Sequence, residues 1–181
     1  MLKCVLAAGV LLFSVHASAQ APDAGRNWPQ WRGPLGTGSS PAGNPPTEWS
    51  EEKNVRWKAE IAGRAHSAPI IWGDSVYLQT AIETPKEGKP AEPAPPGGSR
   101  GGPQGRPGGA KPTHLFQFSV MALDRATGKT AWQRVVREEV PHESGHQDAS
   151  QASASPVTDG KLVFAHFGSR GVGRGGCRDR G

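Results

Sequence analysis

One short pattern occurs twice in this chain, and it limits the fold more than any other feature. Ser67–Tyr77 reads S-A-P-I-I-W-G-D-S-V-Y, and Ser153–Phe164 reads S-A-S-P-V-T-D-G-K-L-V-F. Pro69 aligns with Pro156, Gly73 with Gly160, Val76 with Val163 and Tyr77 with Phe164, each pair 87 positions apart. Upstream, V-R-W-K-A-E-I around Trp57 echoes T-A-W-Q-R-V-V around Trp132. A chain that repeats a strand sequence builds like units that stack on one another. Removing the 30 residues Glu83–Pro112, and the 12 extra residues between Trp132 and Pro156, leaves a period of about 45 residues. That length suits one four-stranded antiparallel blade of a β-propeller, whereas an ordinary sandwich has no need to repeat a strand.

The strand pattern agrees. Asn54–Ile61 alternates, with Val55, Trp57, Ala59 and Ile61 on one face and Arg56, Lys58 and Glu60 on the other, which predicts a half-buried strand. Pro69–Trp72 and Ser75–Ile82 read as strands around a Gly73-Asp74 turn. Leu115–Leu123 and Thr130–Val136 flank the polar turn Asp124–Lys129, in which Asp124 and Thr127 bond nearby backbone and Gly128 takes the positive φ. Ser155–Val157 and Lys161–Phe167 follow around Thr158-Asp159-Gly160. No stretch has helical periodicity, so the expected class is all-β.

The segments between and around these strands differ in composition. Residues 1–19 read as a signal peptide: Lys3, the apolar run Cys4–Val15, then A-S-A, with cleavage between Ala19 and Gln20. The apolar run is too short to span a bilayer, and Cys4 opens it where a lipid-bearing Cys would follow it. An exported protein of a bacterial periplasm or cell surface is expected, with no membrane span after signal removal. Residues 20–53 form a Trp- and Pro-rich segment. Residues 54–82 and 113–136 make up the expected first blade, and 137–167 the start of a second. Residues 83–112 carry no aromatic side chain and are expected to form a disordered Pro/Gly-rich insert. In the tail, 168–181, Val172 is the one aliphatic residue among Gly and Arg. No strand is expected there, and the tail reads as an aberrant, out-of-frame continuation of a truncated chain.

The formal net charge is +5. The insert contributes +2, the tail +3 and Lys3 a further +1, so the strand-forming remainder stands at −1. There is no coherent basic face with interleaved aromatics, which excludes nucleic acid as a partner. Cys4 leaves with the signal, and Cys177 remains as a single thiol with no disulfide partner.

M-A-L-D-R-A-T-G-K-T-A-W, Met121–Trp132, resembles the A-x-D-x-x-T-G-K-x-x-W motif of pyrroloquinoline-quinone (PQQ)-binding-like β-propeller repeats. N-W-P-Q-W-R-G-P at Asn27–Pro34, W-S-E-E-K-N-V-R-W-K and H-S-A-P are similar to the N-terminus of exported bacterial proteins of that kind. The resemblance implies a propeller of which about one and a half to two blades are present, the ring being incomplete. It also implies scaffold roles for Trp57, Asp124, Thr127, Gly128 and Trp132, with indoles docking between blades. The function implied is a binding or scaffolding module, with other proteins or a small ligand at the propeller channel and no catalytic residue assigned. The alternative is the N-terminal portion of a periplasmic PQQ- and calcium-dependent dehydrogenase, for which this sequence has no vicinal Cys pair.

His142, Glu143 and His146 spell H-E-x-x-H, the zinc-peptidase pattern in which two His ligands stand one helical turn apart. Pro141 precedes it, Ser144-Gly145 fills its middle and no apolar stripe follows, so the required helix is not expected. What remains is an inter-strand loop whose His142, Glu143, His146 and Asp148 are weak metal-ligand candidates facing a channel, with His66 opening the matching region of the first repeat.

Overall fold

The computed structural model describes residues 26–40, 43–90, 112–142 and 148–177. The signal-peptide assignment, most of the insert, Glu143 and His146 lie outside them.

The chain is all-β, with two antiparallel sheets. The first has four strands in chain order: β1 (Ile70–Trp72), β2 (Ser75–Glu87), β3 (His114–Asp124) and β4 (Thr130–Glu139). The second has three, again in chain order: β5 (Val157–Thr158), β6 (Leu162–His166) and β7 (Val172–Gly176). A 3₁₀ turn, Gly168–Arg170, joins β6 to β7.

Period-two patterning decides which faces are buried. On one face of the first sheet Val76, Leu78, Met121 and Leu123 form a cluster covered by Trp57, Ala59, Ile61 and Ile71. On the other, Ile70, Tyr77, Ala81, Phe118, Val120 and Ala122 meet Ala152, Val163, Ala165 and Phe167 of the second repeat. The first sheet is therefore sandwiched between the N-terminal segment and the second sheet. Both faces of β2 and β3 are buried at their centres, which is why these strands read as near-continuous apolar runs.

Three expectations need correction. Asn54–Ile61 is not a strand. Its alternation holds from Trp57 onward, since Trp57, Ala59 and Ile61 face the core while Arg56, Lys58 and Glu60 are exposed, but Val55, expected on the core face, is exposed as well. Any extended segment laid across a sheet face gives period two without a hydrogen-bonded ladder. β2 also continues five residues into the segment expected to be disordered. Glu83 pairs with Phe116 and Glu87 with His114, and the Thr84 hydroxyl donates to Leu115 O at 2.9 Å. The aromatic, β-prone start of β3 supplies a partner ladder that the polar residues do not need to find for themselves.

The tail gives the third correction, because it contains β7. Gly173 lies where a Cβ would approach Val136 to 3.1 Å, and Gly175 lies near Trp132. Glycine in a strand marks a close approach of backbone to a neighbour. Here it lets β7 pass beneath β4 while pairing with β6 from Leu162↔Gly176 to His166↔Val172. Arg170 is buried, with its Nη1 3.2 Å from Glu139 Oε1, and the Tyr77 hydroxyl donates to Cys177 O at 2.9 Å.

Candidate functional site

The two sheets meet through equivalent positions of the repeat. Ala68 N–H donates to Ser155 Oγ at 2.9 Å, and the Gln79 side-chain amide donates to His166 O at 2.8 Å, each across 87 residues. β1 and β5 are in contact, and His66 N–H reaches Ala152 O at 3.3 Å. The N-terminal segment closes the seam, with Trp28 bridged to Ile71 and Pro29 O accepting from Thr158 N–H at 2.9 Å.

At the end of this seam where β1 begins lies an open cleft of about 380 Å³ lined by Trp31, His66, Ala68, Ser153 and Ser155. Trp31 is 65% exposed, with the Arg32 guanidinium 5.4 Å from its ring centroid. Ser153 is set by a tight turn in which its hydroxyl donates to Ser150 O at 2.8 Å. An exposed indole, an imidazole and two hydroxyls suit hydrogen bonding to a small polar ligand beside an aromatic surface. Ser155 was legible, since it falls opposite Ala68 in the repeat register. Ser153 falls opposite His66 in the same register, whereas Trp31 lies outside the repeat.

Of the loop candidates, His142 is half-buried after the buried Pro141, and Asp148 is exposed. Glu143 and His146 lie between them, outside the described residues. Calcium takes six to eight oxygen ligands. Among the described residues no three His, Cys, Asp or Glu side chains come together as a group that could hold a metal ion.

The scaffold candidates are placed as follows. The Trp57 Nε1–H donates to Arg125 O at 3.0 Å, and its ring lies against Gly128. Trp132 is half-buried, tilted at 46° to Tyr77 with ring centroids 6.1 Å apart. Asp124 Oδ1 accepts from both the Thr127 N–H (2.8 Å) and the Thr127 hydroxyl (2.7 Å). Asp159 does the same work in the second repeat, its Oδ1 accepting from Lys161 N–H (2.8 Å) and Leu162 N–H (2.7 Å). The hydrogen bond from the Thr127 hydroxyl, then that from its amide, hold the Asp124 carboxyl below its ordinary value. The Leu162 and Lys161 amides do so for Asp159.

A carboxylate with a depressed folded pKa stabilises above its unfolded value and loses that contribution as pH falls through the folded one. Asp124→Asn is therefore expected to lower the melting temperature at neutral pH. The gap to the wild type should close as pH falls below about 4. Melting curves across pH check this, and a gap that stays constant down to pH about 2 would show that the carboxylate charge is irrelevant.

No protein-family model matches the chain, and no curated protein matches it.

Proposed function

We propose that the chain is an exported PQQ-like β-propeller repeat protein, acting as a binding or scaffolding module with no catalysis of its own. The observation that carries this reading is the seam, where like positions of two repeats, 87 residues apart, hydrogen-bond to each other at Ala68–Ser155 and Gln79–His166. When like units pack face to face in rotation about an axis, equivalent residues nearest that axis come close to one another. In a sandwich the two sheets pack face to face without any need for equivalent residues to meet. The four-stranded sheet in plain chain order has the connectivity of a blade, and the Asp124–Gly128 turn under Trp57 gives the repeat motif a mechanical role. A small ligand or a partner protein is proposed to bind at the seam cleft around Trp31 and His66.

The test is a dye-linked oxidation assay on the purified full chain, with PQQ and Ca²⁺ added and a panel of alcohols and sugars as substrates. The expected result is dye reduction no faster than in protein-free controls. Substrate-dependent reduction that needs both additions would overturn the module reading in favour of a quinone- and calcium-dependent dehydrogenase.

A further inference from the structure

A second cleft lies at the opposite end of β1 from the seam cleft, where the β1–β2 and β3–β4 turns come together with the N-terminal segment. It is open to solvent, with a volume of about 620 Å³, and Arg26, Asn27, Trp28, Arg56, Asp74 and Arg125 line it. Three arginines and a single aspartate therefore line it. Lys53 pairs with Glu48 and Lys58 with Glu51, so neither of those acids is held by Arg56. Among the described residues no ion pair neutralises Arg26, Arg56 or Arg125.

Arg125 is held in place by backbone. Its Nη1 donates to Arg26 O (3.3 Å) and Gly73 O (3.2 Å), while its own amide donates to Asp74 O at 2.9 Å. A guanidinium has five donors in a fixed fork, so anchoring Nη1 leaves the Nε and Nη2 hydrogens for a ligand. On the adjoining wall the Asn27 side chain is fixed by accepting from Gly73 N–H at 2.8 Å. The site is thus built from two turns and one strand-bridged segment, Trp28 being paired to Ile71 on both backbone groups at 2.8 and 2.9 Å.

We propose that this cleft binds a phosphate or sulfate monoester of a small polyhydroxyl compound. Guanidinium forks match tetrahedral oxyanions with paired hydrogen bonds, which accounts for the three arginines. The volume lies in the range of small-molecule pockets and exceeds what a bare ion needs. Asp74 is an acceptor that would repel a second anionic group but receive hydroxyl hydrogen bonds, and the Trp28 ring offers an apolar surface to a sugar or polyol ring.

Isothermal titration of the full chain at low ionic strength tests this, with glucose 6-phosphate, inorganic phosphate and glucose as probes. Glucose 6-phosphate is expected to bind, inorganic phosphate more weakly, and glucose not at all. Arg26→Ala and Arg56→Ala, both at exposed side chains with no structural hydrogen bond, should each weaken glucose 6-phosphate binding by roughly tenfold. Lys161→Ala, a cation on the second sheet, should leave it unchanged. Binding should fall steeply as salt rises to roughly 0.5 M. Equal affinity for inorganic phosphate and the ester would overturn the assignment to an ester. Absence of binding, or an equal loss in Lys161→Ala, would overturn the site.

Discussion

Alanine at Gly128 is expected to lower the unfolding free energy by about 3 kcal/mol, with two separable causes. Gly128 has φ +73°, and a side chain there costs about 1–2 kcal/mol because the Cβ crowds its own backbone. The added Cβ would also sit 2.5 Å from Trp57 Cδ2 and Cε3, atoms of a rigid ring that has no flexible end to swing aside. Moving the indole strains its packing on the Val76, Leu78, Met121 and Leu123 cluster and breaks its hydrogen bond to Arg125 O. Gly73 separates the two causes. Its φ is +58°, yet nothing lies within 4 Å of the position a Cβ would take, so Gly73→Ala should cost only the backbone part, about 1 kcal/mol. Denaturant titration of the two variants measures the difference. In a Trp57→Ala background the cost of Gly128→Ala should shrink to that of Gly73→Ala. Equal losses at Gly128 and Gly73 in the wild-type background would refute the ring contact.

A glycine–tryptophan contact of the same kind occurs at a second turn, although the repeat register pairs that glycine with Gly73 and not with Gly128. A Cβ at Gly160 would lie 2.4 Å from Trp72 Cε2 and Cζ2, so T-D-G-K in the second repeat holds a tryptophan of the first much as A-T-G-K holds Trp57. The alignment of Gly160 with Gly73, whose Cβ position is open, gave no sign of this contact. The strands bounded on at least one side by a clear turn, β1, β2, β3, β4 and β6, were legible from that turn. Their boundaries depend on local turn chemistry at Gly73-Asp74, Asp124–Gly128 and Asp159-Gly160.

What was misread depends on tertiary partners. Asn54–Ile61 has the pattern of a strand, but its backbone meets a sheet face instead of a strand edge. Period two reports an extended chain with one face buried, and it is silent on hydrogen bonding. Val172–Gly176 has almost no strand propensity, yet its glycines are what the space beneath Val136 and Trp132 admits. Propensity scales rate what a side chain adds, and here the requirement is that none be added. The cationic cleft was hidden for a third reason. Arg26, Arg56 and Arg125 are far apart in sequence, and each taken singly is a common surface arginine. The H-E-x-x-H pattern was already argued against by Pro141 and Ser144-Gly145 in the sequence, and Glu143 and His146 lie outside the described residues.

Phe118→Ala should have the largest effect of any single substitution, about 3–5 kcal/mol, because this side chain ties one repeat to the next. Phe118 is fully buried in β3, on the face turned to the second sheet. It meets Phe167 edge-on, with centroids 5.3 Å apart and planes at 72°, a geometry that suits the ring quadrupoles. A small domain has about 5–15 kcal/mol in all, so the alanine variant is expected to lose most of its cooperative transition. Phe118→Leu keeps most of the volume and should cost about 1.5 kcal/mol, leaving a folded protein in which the seam itself can be examined. Hydrogen exchange on that variant distinguishes a local from a global role. The second sheet has three short strands and reaches its core chiefly through Val163, Ala165 and Phe167 packed on the first. Loss of the Phe118–Phe167 contact should therefore raise exchange in Leu162–His166 and Val172–Gly176 more than in Val76–Ala81. The four-stranded sheet retains its second buried face under Trp57, Ala59 and Ile61 and can stay closed while the three-stranded one opens. Equal acceleration in both sheets would mean that the repeats unfold as one unit, and the seam would then be an internal core like any other.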